Sequence, residues 1–251
     1  MKKISHILAL HGFMGSGSDW RGLQHCLPGV TWVCPDLPGH GQQKNRIAQF
    51  QTAEEMAQCL DNEWPVDPDC TCLVAYSWGG RVALQLPSFQ QGLWAKVILL
   101  STHFGLADPQ ARRARRQSDE SLAAQLATMR SSAFAAWLQQ WWRQDLFCGL
   151  SETLRETLIK TRLQESPACL SRVMQLWSPG TVPFPTLLAS QSFDLLVGAL
   201  DEKYLQHANE QRSLLPNLRT DVVSGASHML HMEAPLAVAH TAPFRELGQA
   251  E

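Results

Sequence analysis

The stretch that decides the fold is residues 72–86, which read CLVAYSWGGRVALQL. An apolar segment leads into Ser77, and helix-forming residues follow it. A serine on a sharp turn between a strand and a helix is a nucleophile elbow, in which the turn holds the hydroxyl clear of the sheet. Ala75 and Gly79 occupy the two usual glycine positions, where strand and helix pack closely and side chains must be small. The pattern predicts a nucleophilic Ser77, although small residues around a serine also occur in ordinary turns.

The size and composition of the chain exclude several functional classes. With 251 residues it is at the upper end for one domain and can bury a full core. The net charge of −2 argues against a nucleic-acid partner, and the longest apolar runs, 72–75 and 97–100, are far too short to span a membrane. Seven cysteines without framework spacing, behind an N-terminus that does not resemble a signal peptide, predict reduced thiols in the cytoplasm.

Short apolar segments alternate with helical patterns along most of the chain. This alternation predicts an α/β fold with a mostly parallel central sheet that helices cover on both faces. Such sheets carry their active sites at the carboxyl ends of the strands. The predicted strands are residues 7–10, 31–34, 71–75, 96–100, 193–198 and 218–223. The predicted helices include 20–27, 52–64 with a capping box formed by Thr52 and Glu55, 78–86, and 233–247 with a break at Pro243.

One long region interrupts the alternation of strands and helices. Residues 109–177 contain no convincing strand and show one helical pattern after another, rich in tryptophan and arginine. We interpret this region as a helical cap that is inserted between the fifth and sixth strands. The predicted domains are therefore a core of residues 1–108 and 178–251 and a cap of residues 109–177.

A nucleophilic serine needs a base, and the base needs an acid that orients it. In this type of sheet the chain order is serine, acid, histidine. His228 lies on a glycine turn just after a predicted strand and Asp201 follows another, so both are expected at the same edge as Ser77. The rival base His231 begins to follow the last helix, and the rival acid Asp194 falls at the start of its strand, at the opposite edge. The predicted catalytic triad is Ser77, Asp201 and His228.

Two loops are expected to bind a developing negative charge through their backbone. The N–H of Trp78 lies at the start of the helix after the elbow, and the N–H of Phe13 lies in the loop after the first strand. Gly12 lets the backbone approach closely there. We predict that Phe13 and Trp78 form an oxyanion hole, and that His11 supports this loop rather than acting in catalysis.

Several motifs are spread over nearly the whole chain. They are His11-Gly12-Phe13, Asp36-x-Pro38-Gly39-His40-Gly41, Ser77 in its elbow, Gly198-x-x-Asp201 and Gly225-x-x-His228. Together they resemble the α/β-hydrolase superfamily. Further motifs are Tyr76-Ser77-x-Gly79-Gly80-Arg81-Val82-Ala83, His103-x-Gly105-Leu106, Arg112 and Arg115 ahead of Ser118-Asp119, Trp141, Phe147 and Arg162. These resemble the 2-succinyl-6-hydroxy-2,4-cyclohexadiene-1-carboxylate synthases of menaquinone biosynthesis, from which Trp78 and Ser227 depart because that family has leucine and glycine there.

The closer resemblance implies a carbon–oxygen lyase that eliminates pyruvate from 2-succinyl-5-enolpyruvyl-6-hydroxy-3-cyclohexene-1-carboxylate and needs no cofactor. It assigns the triad to the same three residues that the chain order selects. No metal is expected, since a site at His228 and His231 would need further ligands. The substrate-binding residues that the resemblance implies are Tyr76, Arg81, Arg115, Trp141 and Arg162.

The arginines support a small polycarboxylate as the substrate. The substrate that the resemblance implies carries three carboxylates, and each favours a cation, preferably the bidentate fork of arginine. Arg81 lies in the first turn of the elbow helix, where a cation beside Ser77 is of no use to an apolar ester. The cap segment adds a cluster of which we expect one or two members to face inward: Arg112, Arg113, Arg115 and Arg116.

Two other functions use the same residues. A carboxylesterase or thioesterase would use the triad covalently, and the sequence does not distinguish this reaction from the elimination. A non-catalytic binding protein of the same fold is the other alternative. The presence of all three triad residues argues against it.

Overall fold

Six parallel strands form the centre of the molecule. The computed structural model describes residues 4–64, 66–183, 192–215 and 217–248. The strands are β1 (His6–Leu10), β2 (Thr31–Val33), β3 (Thr71–Tyr76), β4 (Lys96–Leu100), β5 (Phe193–Gly198) and β6 (Leu218–Val223). Their order is β2-β1-β3-β4-β5-β6, and every neighbouring pair is parallel. The predicted α/β fold is confirmed. Residues 1–3, which contribute to the expectation about a signal peptide, lie outside the described part.

The α-helices lie between and after the strands along the chain. They are α1 (Arg21–Cys26), α2 (Ala53–Glu63), α3 (Trp78–Ala83), α4 (Pro87–Gln90), α5 (Pro109–Ala127), α6 (Ser131–Trp141), α7 (Glu152–Arg162), α8 (Pro167–Trp177), α9 (Glu202–Leu214), α10 (Leu230–Glu233), α11 (Pro235–Ala239) and α12 (Ala242–Gly248). Three 3-10 segments add to them: Gly17–Trp20, Gly41–Gln49 and Asp145–Phe147. None of the described helices combines the length and the apolar character that crossing a membrane requires.

The core lies on both faces of the sheet, because successive side chains of a strand point to opposite sides. In β3, Cys72 and Val74 belong to the apolar cluster on one face, and Leu73 and Ala75 belong to the cluster on the other. All six residues of β3 are buried. A strand that is buried on both faces reads as a continuous apolar run, which is why residues 72–75 look as they do in the sequence.

The capping box at the start of α2 is confirmed. The Thr52 side chain accepts from the Glu55 N–H at 3.1 Å, and the Glu55 carboxylate accepts from the Thr52 N–H at 3.3 Å. The C-terminal helical region differs from the prediction. It consists of α10, α11 and α12, and Pro243 lies in the first turn of α12 rather than at a break. A proline is tolerated there because the N–H groups of the first turn have no partner within the helix.

Four helices, α5 to α8, and the 3-10 segment Asp145–Phe147 occupy the region that the sequence assigns to a cap. The expectation that this region lies between the fifth and sixth strands is wrong, because it connects β4 to β5. Among the described residues between β2 and β3, the 3-10 segment Gly41–Gln49 and α2 are the helical elements, and no further strand of the sheet is formed there. Within the region α5 packs on α8, and α8 packs on the core segment Gly41–Gln49. The division into core and cap domains remains a prediction.

Candidate active site

The elbow at Ser77 joins β3 to α3 with a strained backbone. Ser77 has φ 51° and ψ −109°, a conformation that side-chain-bearing residues rarely adopt and that a nucleophile elbow requires. A Cβ on Gly79 would collide with the carbonyl oxygens of Leu10 and His11. A Cβ on Gly80 would collide with the Thr102 side chain in the same way. The small residues after Ser77 are therefore needed for α3 to approach the sheet.

Ser77, His228 and Asp201 form a continuous hydrogen-bonded chain. The Ser77 Oγ atom lies 3.0 Å from His228 Nε2, and His228 Nδ1 lies 2.7 Å from Asp201 Oδ2. Asp201 caps the N-terminus of α9, and its second oxygen accepts from the Tyr204 N–H at 3.1 Å. Because the aspartate holds Nδ1, the imidazole presents Nε2 to the serine and can take its proton. The structure thus brings together the three residues predicted for the triad.

Both rival residues lie elsewhere and have other partners. Asp194 lies in the first half of β5, where it pairs with Arg219 at 2.8 Å and with Lys96 at 3.7 Å. His231 is fully buried, with its ring 4.6 Å from Trp20 and 4.4 Å from the ring of Tyr76. Burial lowers the pKa of His231 to about 3, so it stays neutral. Neither rival is part of the hydrogen-bonded chain of Ser77, His228 and Asp201.

The loop that carries Phe13 is fixed by His11. The His11 Nε2 atom accepts from the Leu37 N–H at 2.9 Å, which leaves Nδ1 to donate to the Gly12 carbonyl at 2.8 Å. Burial lowers the pKa of His11 and keeps the ring in this neutral form. A Cβ on Gly12 would enter the ring of Tyr76, so only glycine fits between the loop and β3. His11 therefore has the supporting position that the sequence analysis expects.

A cavity of about 320 Å³ opens in front of Ser77. Its lining includes all of the ten residues predicted for the site except Asp201, which lies behind the His228 ring: Phe13, Tyr76, Ser77, Trp78, Arg81, Arg115, Trp141, Arg162 and His228. The rings of Phe13 and Trp141, which both line the cavity, have centroids 5.8 Å apart. The roles of Phe13 and Trp78 as oxyanion donors remain a prediction.

Arg81 is the cation nearest the elbow in sequence. Its side chain makes no hydrogen bond or ion pair with any described residue, and its buried Nε atom has no acceptor. Burial and the neighbouring Arg115 guanidinium lower the pKa of Arg81 to about 10, so it remains charged at neutral pH. A buried charge without a partner is costly. This guanidinium is therefore available to an anion that enters the cavity.

The other two predicted arginines are already paired with carboxylates. The Arg162 guanidinium lies 2.6 Å from both carboxylate oxygens of Asp19, and both side chains are buried. Arg115 donates to Asp119 at 2.8 Å, one turn further along α5. From the sequence the three arginines look equivalent. In the structure the Arg81 side chain is unpaired, whereas carboxylates hold Arg115 and Arg162 in position. Within the arginine cluster of α5, only Arg115 lines the cavity.

Two polar residues that line the cavity next to Asp201 in sequence were not predicted for the site. Lys203 and Tyr204 line the cavity directly beside the triad. Both follow Asp201 in the first turn of α9, so their position after a strand-end acid is a signal that could have identified them. Lys203 makes no hydrogen bond or ion pair with the described residues. Partial burial and the charge of Arg115 lower the pKa of Lys203.

Residues 7–241 match the alpha/beta hydrolase family. The chain is 33% identical to a 2-succinyl-6-hydroxy-2,4-cyclohexadiene-1-carboxylate synthase of Enterobacter sp. (strain 638), over 93% of this chain and 88% of that protein. It is 28% identical to a protein of Bacillus subtilis (strain 168) with the putative form of the same name, over 91% of this chain and 85% of that protein.

Solved structures share the same fold. MenH from S. aureus superimposes with a TM-score of 0.83 at 22% identity, over 99% of this chain and 96% of that chain. A thermophilic esterase from Thermogutta terrifontis superimposes with a TM-score of 0.70 at 20% identity, over 99% and 92% of the two chains. Because enzymes with different reactions share this fold, the reaction has to be argued from the cavity.

Proposed function

Since the chain belongs to the alpha/beta hydrolase family, we propose that it is a carbon–oxygen lyase that eliminates pyruvate from 2-succinyl-5-enolpyruvyl-6-hydroxy-3-cyclohexene-1-carboxylate. The observation that carries this proposal is the unpaired Arg81 guanidinium in the wall of the cavity that contains Ser77. A partly buried guanidinium that lies beside the nucleophile and forms no ion pair with a described carboxylate suits an anionic substrate and has no use for a neutral ester. The names of the relatives from Enterobacter sp. and Bacillus subtilis support the same substrate.

The triad supplies the proton transfer in the proposed reaction. Ser77 and His228, oriented by Asp201, remove a ring proton adjacent to the succinyl ketone of the substrate. The Ser77 hydroxyl proton passes to His228 Nε2 as the Ser77 oxygen takes the substrate proton. Expulsion of the enolpyruvyl group then forms the ring double bond and, after protonation at carbon, pyruvate. Because Ser77 transfers a proton and forms no bond to carbon, no acyl-enzyme should accumulate.

The backbone and the cations stabilise the charge that develops. The enolate oxygen would lie on the N–H groups of Phe13 and Trp78, at the N-terminus of α3. Arg81 and Lys203 would bind substrate carboxylates that no protein carboxylate competes for. Arg115 and Arg162, held by Asp119 and Asp19, would donate with the guanidinium atoms that those carboxylates leave free. Cationic side chains therefore outnumber carboxylates in the lining of the cavity.

The partner that this proposal implies is a small polycarboxylate, and the site of action is the cytoplasm. All seven cysteines are free thiols, which agrees with a reducing compartment. In the proposed division of the chain, the segment 109–177 closes the cavity from above through Arg115, Trp141 and Arg162. The core segments contribute the triad and Arg81.

The direct experiment is incubation with the enolpyruvyl cyclohexene substrate while pyruvate is measured. The wild-type chain should release pyruvate in step with substrate loss, and Ser77→Ala should lower kcat by about a thousandfold or more. Ser213→Ala is the matched control, because it removes a serine hydroxyl from the exposed part of α9. A Ser77→Ala variant with the wild-type rate would contradict the proposal.

The role of Arg81 is tested with Arg81→Met, which keeps an unbranched side chain of similar length. We expect KM to rise roughly ten- to a hundredfold, because a charge-assisted hydrogen bond to a carboxylate is lost. The thermal midpoint should stay the same or rise, since the variant removes an unpaired buried charge. Arg130→Met, at an exposed position before α6, is the control. An unchanged KM for Arg81→Met would show that the cation does not bind substrate.

A carboxylesterase or thioesterase remains the second candidate function. The 3.0 Å hydrogen bond from Ser77 to His228 and the strained elbow also suit covalent acyl transfer. A burst of p-nitrophenol from p-nitrophenyl esters, without pyruvate release from the enolpyruvyl substrate, would favour this reading. A non-catalytic binding protein would show neither product.

A further inference from the structure

The loop of the catalytic base, residues 226–229, is buried and is in contact with two other parts of the chain. One of them is the turn after β5. There the Leu200 N–H donates to the Ala226 carbonyl at 2.9 Å, and a Cβ on Gly198 would collide with carbonyl oxygens of the loop. The other part is the segment of residues 146–149, which belongs to the connection between α6 and α7.

Segment 146–149 contacts both the backbone and the ring of His228. The Leu146 carbonyl accepts from the His228 N–H at 3.2 Å. The Phe147 ring packs edge-on against the imidazole, with ring centroids 5.8 Å apart. Two consecutive residues outside the core thus hold the residue that takes the proton from the serine.

Gly149 completes the fit between this segment and the loop. A Cβ at this position would lie 3.0 Å from the Ser227 nitrogen and would collide with the Glu233 carboxylate. That carboxylate accepts from the Ser227 N–H, the Ser227 hydroxyl and the Met229 N–H, so it cannot move aside without breaking hydrogen bonds on both sides of His228. The φ of Gly149 lies outside the left-handed region, so the close approach alone requires a glycine here.

We propose that segment 146–149 positions the catalytic base, with Gly149 as the positioning residue. The Leu146 carbonyl holds the His228 backbone. The absence of a side chain at position 149 leaves room for the Glu233 carboxylate to hold the rest of the loop. The inference deepens the proposed function and rests on it for the reacting substrate, whereas the contacts are a property of the protein alone.

A small displacement of His228 matters because both of its ring nitrogens have partners. Nε2 lies 3.0 Å from Ser77 Oγ, and Nδ1 lies 2.7 Å from Asp201 Oδ2. Proton transfer requires both pairs to stay within hydrogen-bond reach, and a misplacement of about 1 Å can lower a rate about a hundredfold. A change at Gly149 should therefore affect kcat more than KM.

The kinetic test is Gly149→Ala, with Gly29→Ala as the matched control. A Cβ on Gly29 meets nothing within 4 Å, and the φ of Gly29 is also outside the left-handed region. We expect Gly149→Ala to lower kcat for pyruvate release about ten- to a hundredfold, with KM changed less than about threefold, and Gly29→Ala to match the wild type. A wild-type kcat in Gly149→Ala, or a rise of KM alone, would overturn the proposal.

The position of the base is tested without any substrate. The proton on His228 Nδ1, which is hydrogen-bonded to Asp201, should give a 1H resonance far downfield of the backbone amides, and its loss in His228→Gln assigns it. In Gly149→Ala this resonance should shift or disappear through exchange with water, while Gly29→Ala should leave it unchanged. An unchanged resonance in a folded Gly149→Ala variant would overturn the proposal.

A double variant separates the fit of Gly149 from a general loss of stability. In Glu233→Ala the carboxylate that an added Cβ would meet is gone, so adding Gly149→Ala should lower kcat less than about threefold further. The double variant should fold even if Gly149→Ala alone does not. A further tenfold loss of kcat, or a double variant that is unfolded while Glu233→Ala is folded, would show that Gly149 acts by another route and would overturn the proposal.

The two proposals fail in different ways. If the wild-type chain releases no pyruvate, the proposed function is wrong, while the downfield resonance still reports on the position of His228. The kcat comparison of Gly149→Ala with Gly29→Ala is then made on the turnover of p-nitrophenyl esters, since activation of Ser77 by His228 is common to both reactions.

Discussion

The two ends of strand β5 each carry a buried aspartate, and the two aspartates have opposite surroundings. Asp194 and Asp201 are both 2% exposed. At the amino end, Asp194 lies between the cations Lys96 and Arg219. At the carboxyl end, Asp201 binds the imidazole of His228 and a backbone N–H, and no arginine or lysine among the described residues forms an ion pair with it.

The difference shows which buried carboxylate is available for chemistry. The charge of Asp194 is already compensated by two permanent cations, so it can only support the fold. In the proposed reaction, the imidazole that Asp201 binds takes the serine proton, so this interaction would strengthen as the charge develops. The cations show the same contrast. Lys96 forms ion pairs with both Asp194 and Glu246, whereas the side chains of Arg81 and Lys203 near the carboxyl end form no ion pair with a described residue.

The sharpest test of this comparison exchanges each aspartate for asparagine. Asp201→Asn should lower kcat by about a thousandfold or more, because an amide no longer holds the imidazole in the required tautomer. Asp194→Asn should change kcat less than about twofold, since the four residue steps from Asp194 to Gly198, at about 3.3 Å each, put it roughly 13 Å from the carboxyl end of β5. Pyruvate release by the two purified variants is the measurement. Equal losses in both would show that the two ends are not functionally distinct.

The carboxyl edge of the sheet could be predicted from the sequence because each of its residues has a local signal. Ser77, Asp201 and His228 each follow a short apolar strand, and parallel strands bring their ends to one edge. The pairing of Arg115 with Asp119 also follows a local rule, the spacing of four residues on a helix. These parts of the site depend on secondary structure and chain order alone.

The contacts of the residues from segment 109–177 that line the cavity could not be predicted in the same detail. Arg162 and Asp19 are 143 residues apart, and no sequence pattern links the two members of such a pair. Whether an arginine is free or neutralised is therefore decided by tertiary packing. The place of the cap in the strand order was also wrong, because the region 109–177 connects β4 to β5 rather than the fifth strand to the sixth. Lys203 and Tyr204 were missed although their place after Asp201 is visible in the sequence.

A third buried carboxylate, Glu165, forms no ion pair with an arginine, lysine or histidine in the described part of the chain. Both of its oxygens accept from the Gly41 N–H, at 3.1 and 3.2 Å, where the segment after α7 meets the core. Burial raises the pKa of Glu165 to about 7. Between pH 4.5 and 7 the folded chain therefore holds a proton that the unfolded chain has released, so raising the pH favours unfolding.

We expect the free energy of unfolding to lose about 2–3 kcal/mol from this group between pH 5 and pH 7.5. Glu165→Gln should remove that part of the pH dependence, because glutamine does not titrate. Urea unfolding at the two pH values measures it, and Glu156→Gln on the exposed side of α7 is the control. The same pH dependence in Glu165→Gln as in wild type would assign it to other groups.

A fourth carboxylate, Glu233, holds the loop of the catalytic histidine. It accepts from the Ser227 N–H at 2.5 Å, the Ser227 hydroxyl at 2.7 Å and the Met229 N–H at 3.0 Å. Ser227, at which the sequence departs from the family pattern, thus has Glu233 as a hydrogen-bond partner. Glu233→Gln should lower kcat about tenfold with little change in KM, because the amide NH2 would face donors and displace His228. Steady-state kinetics measure this, and a normal kcat would show that the loop holds its position unaided.

The smallest expected effect comes from a comparison of two lysines. Lys203 lies near the carboxyl end of β5, and Lys96 pairs with Asp194 near its amino end. Lys203 is partly exposed, so its interaction with a substrate carboxylate is screened by water more than that of Arg81. Lys203→Met should raise KM about three- to fivefold and leave kcat nearly unchanged. Lys96→Met should leave KM unchanged, because its charge is already taken by Asp194 and Glu246. The KM effect of Lys203→Met should also diminish at high salt, because an exposed charge pair is screened. If both lysine variants instead have the KM of the wild type, Arg81 is the one cation without an ion pair at the carboxyl end that contributes to substrate binding.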